Sequence, residues 1–409
     1  MPRLRIEERL EWRRWVTPRP LYEKPIHRWY VFPHSFTSEL VHGLIDEWGL
    51  GPRDHILDPF VGAGTTILAA KEQGIPATGY DISPLAVTAT RAKIQNYRLD
   101  RLLGLWRVLH KRVNRVSPNG LVREYADLVL HAFPGKTLST LEGIDLRIDA
   151  LDAKRSEKQF FRLALLSIMP HVSRAVATGG WLKWVDRRAT PTTVLRAFDE
   201  RVELMLSDLC DLPRCRKGRW RADVQDVRCL PEHGPTYTAV ITSPPYPNRH
   251  DYTRVFGVEL MFGFLDWDGT RRLRYQSFES HPEAHPLRPD VNGYRRPRAL
   301  AEALARIRET ATDERIPKML DGYFVDLYLT LQELRRVTKR GGRIALVLGN
   351  AQYGGVPLPV DEICARIGQH AGLNLGRIIV TRYRGNSAQQ MGRWGRRPSR
   401  ESVVVLRAD

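Results

Sequence analysis

The chain has 409 residues, of which 42% are hydrophobic and 27% charged, a composition typical of folded globular proteins and not of disordered ones. Lysine and arginine number 64 against 46 acidic residues, so the formal net charge is +18. Such an excess favours a polyanionic partner, and nucleic acid fits better than a membrane because no basic amphipathic anchor is present. An arginine-rich surface without such a partner is the competing interpretation.

Nothing in the sequence predicts secretion or a membrane span. Residues 1–9 are highly charged, so we expect no secretory signal there. The longest apolar run, residues 160–166, is interrupted by Arg162 and is shorter than the ~20 residues of a membrane-spanning helix. We therefore predict a cytoplasmic protein that is not attached to a membrane.

The four cysteines do not form a disulfide framework in a cytoplasmic chain of this size. Cys210, Cys215, Cys229 and His233 have spacings that a zinc site tolerates. Cys229 falls within the predicted sheet domain, however, so we favour scattered structural thiols. No metal site is predicted.

In chain order, a basic and aromatic segment comes first. Residues 1–30 contain several prolines together with Trp12, Trp15, Tyr22, Trp29 and Tyr30. Free tails seldom carry so many aromatic side chains, so we predict an arm that wraps over a folded core. The next segment, residues 34–48, predicts a helix with a serine or threonine as its N-cap.

A strand, a glycine-rich turn, a helix and a second strand follow. The first strand ends at Asp58, and Gly62 and Gly64 allow the backbone to approach a ligand closely. The next helix offers free amide groups at its N-terminus, and Asp81 ends the second strand, where mononucleotide-binding units present an acid to ribose hydroxyls. Ile67 stands where a dinucleotide fingerprint needs a small residue, so we predict a nucleoside ligand without pyrophosphate.

A helix over residues 84–95 completes the order βαβα, which predicts an α/β fold with a doubly wound, parallel sheet. Between residues 99 and 218 the pattern becomes helical, broken by proline and glycine clusters. This stretch is too long for a simple crossover, so we predict a helical insertion with a small core of its own. The predicted parts are the arm and ligand-binding half at 1–98, the insertion at 99–218 and the second half of the sheet domain at 219–409.

The run at residues 241–246 follows an apolar strand that begins near Tyr237. Pro244 and Pro245 end this strand, and because proline has no backbone donor the carbonyl groups beside Ser243 are free to accept hydrogen bonds. Tyr246 adds a flat ring. Acceptors beside a ring suit a planar nucleobase with an exocyclic amine, whereas a turn whose tyrosine only packs is the competing interpretation.

The rest of the second half alternates between strands and helices. Residues 266–317 are rich in arginine, proline and aromatic side chains, which suits a mobile loop that binds nucleic acid, with a plain solvated loop as the alternative. Strands are predicted at 220–224, 343–349, 376–382 and 402–406, and helices at 255–265, 319–337 and 360–371.

The glycine-rich turn and the proline loop together resemble the motifs of amino-methyltransferases that use S-adenosylmethionine. Residues 58–66, Asp-Pro-Phe-Val-Gly-Ala-Gly-Thr-Thr, resemble the cofactor motif, and residues 242–246, Thr-Ser-Pro-Pro-Tyr, resemble the catalytic loop. A serine before the two prolines resembles the DNA cytosine-N4 enzymes, whereas adenine-N6 enzymes more often carry Asp or Asn there. The resemblance covers about residues 21–98 and 219–409.

The resemblance implies a Rossmann-like methyltransferase sheet whose last strand is antiparallel. It implies S-adenosylmethionine as the cofactor, with Phe36 and Thr37 as candidates for covering its methionine end. The implied cofactor-binding residues are Asp58, Phe60, Gly62, Gly64, Thr65, Thr66, Asp81 and Asp223, and the implied catalytic residues are Ser243, Pro244, Pro245 and Tyr246.

The resemblance also implies DNA as the substrate and a restriction-modification or defence system as the setting. No nuclease constellation stands out, so a restriction endonuclease or a defence-complex subunit is expected as a separate partner. Adenine-N6 methylation, RNA base methylation and a catalytically silent DNA-binding subunit are the alternatives. No Pro-Cys pair occurs, which argues against cytosine-C5 methylation because that reaction needs a cysteine nucleophile. We expect the insertion at 99–218, the segment 266–317, or both, to recognise DNA.

Overall fold

The computed structural model describes residues 4–115, 120–210, 218–289, 291–311, 313–385, 395 and 398–409. Its strands are β1 (Ile6–Glu8), β2 (Ile56–Asp58), β3 (Ala77–Asp81), β4 (Ala175–Thr178), β5 (Trp181–Trp184), β6 (Trp220–Val224), β7 (Tyr237–Thr242), β8 (Thr338–Gly349), β9 (Ala351–Tyr353), β10 (Val356–Leu358), β11 (Asn374–Arg384) and β12 (Ser399–Arg407). Its helices are α1 (Ser38–Trp48), α2 (Thr65–Glu72), α3 (Pro84–Ile94), α4 (Leu99–Val113), α5 (Asp127–Ala132), α6 (Lys136–Asp149), α7 (Arg155–Val172), α8 (Pro191–Cys210), α9 (Tyr252–Val255), α10 (Gly257–Gly263), α11 (Trp267–Gln276), α12 (Arg298–Thr310), α13 (Arg315–Val337) and α14 (Val360–His370).

One eight-stranded sheet organises the fold, with strand order β1-β11-β12-β8-β7-β2-β3-β6. Strand β12 is antiparallel to both of its neighbours, and the other pairs are parallel. The strands that follow β2 in the chain, β3 and β6, lie on one side of it in the sheet. Strand β7 lies on its other side, so the direction in which strands are added reverses between β2 and β7. At such a reversal the crevice at the carboxyl ends of the strands is the usual ligand site. The predicted doubly wound, mostly parallel sheet with an antiparallel last strand is confirmed.

The sheet is buried on both faces, and the strands therefore have continuous apolar runs. Side chains alternate between the two faces, so Ile56 and Ile241 pack toward α1 and α2, whereas Leu57 and Val240 pack toward α13 and α14. All four side chains have no exposed surface. This double coverage fixes the register of β2 against β7, where Ile56 faces Ala239.

The insertion contains α4 to α8, and it also holds an antiparallel hairpin of β4 and β5 that the sequence did not indicate. Its apolar side chains form one cluster with Trp29 of the arm and with α10, so the prediction of a separate small core is wrong. The buried carboxylate of Asp208 on α8 explains the connection, because it accepts hydrogen bonds from the Ile26 amide and the Trp29 indole, both at 2.9 Å. The predicted arm is thereby fixed to the insertion.

The prediction of a loop across residues 266–317 is wrong for two stretches, which form α11 and α12. Asp266 caps α11 by accepting from the Gly269 amide at 2.6 Å. In α12 the side chains of Leu300, Leu304 and Ile307 recur at helical spacing and are buried. The high arginine content of the segment masked this apolar stripe in the sequence.

None of the helices in the described part of the chain is long and apolar enough to span a membrane.

Candidate active site

The carboxyl ends of β2, β3 and β7 meet at one cavity. Asp58, Asp81 and Ser243, which stand at or directly after these ends, all line it. The Thr242 hydroxyl donates to the Asp58 carboxylate at 2.6 Å, and the Thr66 hydroxyl donates to the carbonyl of Ile241 at 3.2 Å. These bonds join the glycine-rich turn to the strand that carries the proline loop, so the two motifs form one site.

The turn between β2 and α2 adopts backbone angles that require glycine. Gly62 has φ +48° and Gly64 has φ +84°, in the left-handed region that other residues rarely enter. A Cβ atom at Gly64 would lie 2.8 Å from the Thr90 hydroxyl, so α3 closes the space beside it. The Gly62 amide donates to Asp81 at 3.0 Å, which fixes the turn against the end of β3.

Two carboxyl groups in the cavity carry raised pKa values. Burial raises the pKa of Asp81 to about 6, although the Ser83 and Gly62 amides lower it. Burial likewise raises the pKa of Asp58 to about 6, and the negative charge of Asp81 adds to the effect. Both carboxylates are poorly solvated, so each gains from a ligand that supplies hydrogen-bond donors or positive charge.

The proline loop leaves β7 toward the cavity. Ser243 and Pro245 line it, and the Ser243 hydroxyl donates to the carbonyl of Val347 in β8 at 3.2 Å. Tyr246 is buried, its hydroxyl donates to Glu401 at 3.0 Å, and its ring lies against Gly349. Pro244 and Tyr246 are not among the residues that line the cavity.

A further wall comes from the segment 266–317, which was predicted to bind nucleic acid but not to line this cavity. Ser277, Phe278, Ser280 and His281, which follow α11, form this wall. The wall is anchored by Asp326 on α13, whose carboxylate has no exposed surface and accepts from the Glu279 amide at 2.9 Å and from Arg288 and Arg228. Further wall residues are Phe32, His34, Phe36, Asp226, Arg228, Tyr252, Thr253 and Phe256.

This geometry has counterparts among known proteins. Residues 9–91, which hold the arm and the glycine-rich turn, match the family model described as DNA methylase. Type II methyltransferase M.BsoBI from Geobacillus stearothermophilus is 30% identical over 437 residues, covering 93% of this chain and 85% of that protein. The chain belongs to the N4/N6 family of S-adenosylmethionine-dependent DNA amino-methyltransferases.

A second member of this methyltransferase family, Type II methyltransferase M.AvaI from Nostoc sp. (strain PCC 7120), is 29% identical over 442 residues, which cover 99% of this chain and 91% of that protein. Among solved structures, a TehB-like S-adenosylmethionine-dependent methyltransferase from Corynebacterium glutamicum aligns with 10% identity and a TM-score of 0.30, covering 90% of this chain and 87% of that one. The strand order alone carries the fold assignment made above.

Three of the predicted cofactor residues of this methyltransferase do not line the cavity. Gly64, the N-cap residue of α2, and Thr66, in the first helical turn of α2, are not among the residues that line the cavity. Asp223 is half-exposed and forms an ion pair with Arg91 on the outer side of β6. Side chains alternate along a strand, so Asp223 faces α3, and the acid that reaches the cavity is Asp226, after the strand has ended. The predicted cofactor residues that do line the cavity are Asp58, Phe60, Gly62, Thr65 and Asp81.

The remaining predicted residues of the methyltransferase have the following positions. Phe36 lines the cavity, whereas Thr37 is buried at the start of α1. Cys210 and Cys229 are exposed free thiols, and Cys215 lies outside the described residues. Within the described part of the chain there is no group of three or more histidine, cysteine or acidic side chains placed to hold a metal ion.

Proposed function

We propose that this protein methylates the exocyclic N4 amine of cytosine in DNA. The observation that carries the proposal is the position of Ser243, at the end of β7 and in the same cavity as Asp58 and Asp81. Serine before the two prolines is the feature that resembles the cytosine-N4 members of the family. Three observations therefore support the proposal: membership of the N4/N6 family, the cavity that Ser243 shares with Asp58 and Asp81, and the serine before the two prolines.

The residues around the glycine-rich turn fit S-adenosylmethionine. Asp81 uses one lone pair on each oxygen for the Ser83 and Gly62 amides, and its remaining lone pairs accept from the ribose hydroxyls. Asp58 and the turn face the amino-acid part, and Phe36 and Phe60 supply apolar surface. Bound in this way, S-adenosylmethionine supplies an electrophilic methyl group on a positively charged sulfur.

Ser243 and Pro244 hold the amine that accepts the methyl group. The N4 lone pair of cytosine is delocalised into the ring, so the free amine is a poor nucleophile. Because the Ser243 hydroxyl donates its one proton to the Val347 carbonyl, its oxygen would be left to accept a hydrogen bond from the amine. Together with the carbonyl of Pro244, whose role stays a prediction because Pro244 does not line the cavity, it would favour a pyramidal nitrogen aimed at the methyl group. The methylated amine is acidic enough to lose its proton without a strong base on the protein.

The target base must leave the duplex to enter this cavity, because a stacked base is out of reach for in-line attack. The wall at residues 277–281, whose Phe278 ring contacts Phe60 of the glycine-rich turn with 5.6 Å between ring centroids, is our candidate for the base-binding side, with Ser277, Ser280 and His281 as polar groups. Tyr246 was predicted to stack on the base. That role stays a prediction, since its ring packs on Gly349.

The relatives named above are type II methyltransferases, and we propose the same setting for this protein. In such a system a separate endonuclease cuts DNA that lacks the methyl mark. The sequence of this chain offers no nuclease site, so the endonuclease is proposed as a separate protein.

The test is to express the protein in a host without DNA methylation and to identify modified nucleosides in its DNA by mass spectrometry. We expect N4-methylcytosine with the natural protein and none with Ser243→Ala. Ser139→Ala is the matched control, because Ser139 on α6 also donates to a backbone carbonyl but lies in the insertion. N6-methyladenine as the only product would overturn the cytosine assignment, and full activity of Ser243→Ala would overturn the role of this serine.

A further inference from the structure

The hairpin of β4 and β5 ends in a tip formed by residues 178–181, where Thr178 pairs with Trp181 across Gly179 and Gly180. The Trp181 side chain is 62% exposed. A tryptophan ring stabilises a fold mainly through the apolar surface that it buries, so a ring left in water at the end of a hairpin contributes little to folding. Tryptophan is enriched among the residues that contribute most of the binding energy at interfaces.

The hairpin tip lies against the segment that follows the proline loop. A Cβ atom at Gly180 would lie 3.4 Å from the carbonyl oxygen of Arg249 and 3.5 Å from the Cα of His250. His250 is hydrogen-bonded to His34 with 2.8 Å between the two Nε2 atoms, and His34 lines the cavity. The tip therefore stands at the rim of the cavity that receives the base under the proposed function.

Backbone strain marks the same place. Arg249 has φ +66°, which is uncommon for a residue other than glycine. The Arg249 amide donates to the carbonyl of Ser280, in the cavity wall at residues 277–281, at 3.0 Å. The Arg249 side chain is exposed. A strained backbone thus holds a cationic side chain at the rim, and the carbonyl of the same residue contacts the hairpin tip.

One face of the Trp181 ring contacts an arginine side chain. The guanidinium carbon of Arg254 lies 4.7 Å from the ring centroid, within the range of a cation–π contact. Arg254 in turn forms ion pairs with Asp251 and Glu283, both at 3.3 Å. The ring is therefore held in place while much of its surface remains accessible.

We propose that Trp181 stacks on a DNA base next to the target cytosine and so stabilises the duplex from which the target has been extruded. This inference rests on the proposed function and adds the element that contacts DNA at the cavity rim. Aromatic side chains stack on any base, and apolar wedges at a separated base step are a known means of distorting a duplex. Lys183, two residues along β5 on the same side of the strand, and Arg249 supply cations for the flanking phosphates.

The structure offers a matched control on the same hairpin. Trp184 is 51% exposed, but it stands three residues from Trp181 and therefore on the other side of β5. Its ring centroid lies 6.4 Å from that of His131, on the insertion. Trp184→Ala removes the same ring as Trp181→Ala without changing the rim of the cavity. Trp181→Phe keeps a stacking surface.

The experiment uses sheared genomic DNA from a methylation-free host as the probe. Filter binding measures the affinity for DNA, and transfer of a tritiated methyl group measures the KM for DNA. Calorimetry measures the affinity for the cofactor. We expect Trp181→Ala to weaken DNA binding and to raise the KM for DNA, each by about tenfold or more, and Trp181→Phe to recover most of the loss. Trp184→Ala should stay within about twofold of the natural protein, and cofactor affinity should be unchanged throughout.

Trp181→Ala values within about twofold of the natural protein, or an equal loss with Trp184→Ala, would overturn the inference. The proposed function fails in a different way. If the natural protein binds DNA through Trp181 but transfers no methyl group to it, the contact between Trp181 and DNA stands and the proposed function falls.

Discussion

The Thr242 hydroxyl donates to the Asp58 carboxylate at 2.6 Å, and the two residues are 184 positions apart in the chain. This bond joins the end of the strand before the proline loop to the end of the strand before the glycine-rich turn. Both side chains are almost completely buried, so the bond is shielded from water. It is shorter than the bond from the Thr66 hydroxyl to the Ile241 carbonyl, which joins the same two halves of the site at 3.2 Å.

Removal of the Thr242 hydroxyl should destabilise the protein. Thr242→Val keeps the shape but removes one donor from the buried Asp58 carboxylate, which retains the Phe60 amide at 3.2 Å, and we expect this loss to cost about 1–3 kcal/mol in the free energy of unfolding. Thr330→Val is the matched control, because the buried Thr330 hydroxyl has no hydrogen-bond partner in the described structure. That change should be neutral or stabilising. Urea unfolding measures both, and equal losses in the two variants would contradict the account.

Asp81 should determine cofactor affinity, and Asp223 should not. Asp81→Asn keeps the size of the side chain but weakens acceptance from the ribose hydroxyls, so we expect the affinity for S-adenosylhomocysteine to fall by about tenfold or more. Asp223→Asn makes the same change on the outer side of β6 and should leave the affinity within about twofold. Calorimetry gives both values. A larger loss of cofactor affinity with Asp223→Asn would show that Asp223 contacts the cofactor.

The carboxyl group of Asp58 should make stability depend on pH in a defined direction. Its pKa is raised from an ordinary value of 3.8 to about 6, so between these values the folded state binds more protons than the unfolded state. The free energy of unfolding therefore falls as pH rises through this window, by at most about 3 kcal/mol from this group. Asp58→Asn keeps an acceptor for Thr242 and removes the charge. Its stability relative to the natural protein should rise between about pH 4 and pH 7 in cofactor-free urea unfolding.

Two further results would bear on this prediction. Cofactor affinity of Asp58→Asn should fall even where its stability rises, because the carboxylate faces the cavity. A stability difference between the two proteins that does not change with pH would contradict the raised pKa.

Gly349 should be required for the position of Tyr246. A Cβ atom at Gly349 would clash with the Arg384 guanidinium and would lie 2.9 and 3.0 Å from two carbons of the Tyr246 ring, so Gly349→Ala must displace the Arg384 side chain together with the ring or the loop. We expect methyl transfer to fall by about tenfold or more while cofactor affinity is kept. Gly104→Ala on α4 is the control, since no atom lies within 4 Å of the added methyl group, and it should be neutral or slightly stabilising. Unchanged transfer in Gly349→Ala would exclude a positioning role for Tyr246.

The fold was predictable from the sequence where local patterns determine it. The order βαβα and the buried apolar strands predict the sheet, and residues 220–224 form the strand predicted there. Gly62 lies in the turn after β2 and Asp81 ends β3, as predicted, because turn geometry and strand length are local properties. The edge strand β1 was missed, since its three residues acquire strand geometry only by pairing with β11.

The rest of the cavity depends on contacts between distant segments. The wall at 277–281 is held by Asp326, and the sequence gives no sign of that contact across 47 positions. Asp223 and Asp226 lie three residues apart, and only the point at which β6 ends decides which of them reaches the cavity. The hairpin tip with Trp181 contacts residues 249 and 250, after the proline loop, only because the whole insertion folds against the sheet domain.

The most direct test of the central claim is a crystal structure of the protein with S-adenosylhomocysteine and a cytosine-containing duplex. We expect the ribose hydroxyls of the cofactor on Asp81, its sulfur on the Ser243 side of the cavity, and an extruded cytosine whose N4 amine bonds to the Ser243 hydroxyl. A cofactor bound outside this cavity, or a sulfur that faces away from Ser243, would contradict it.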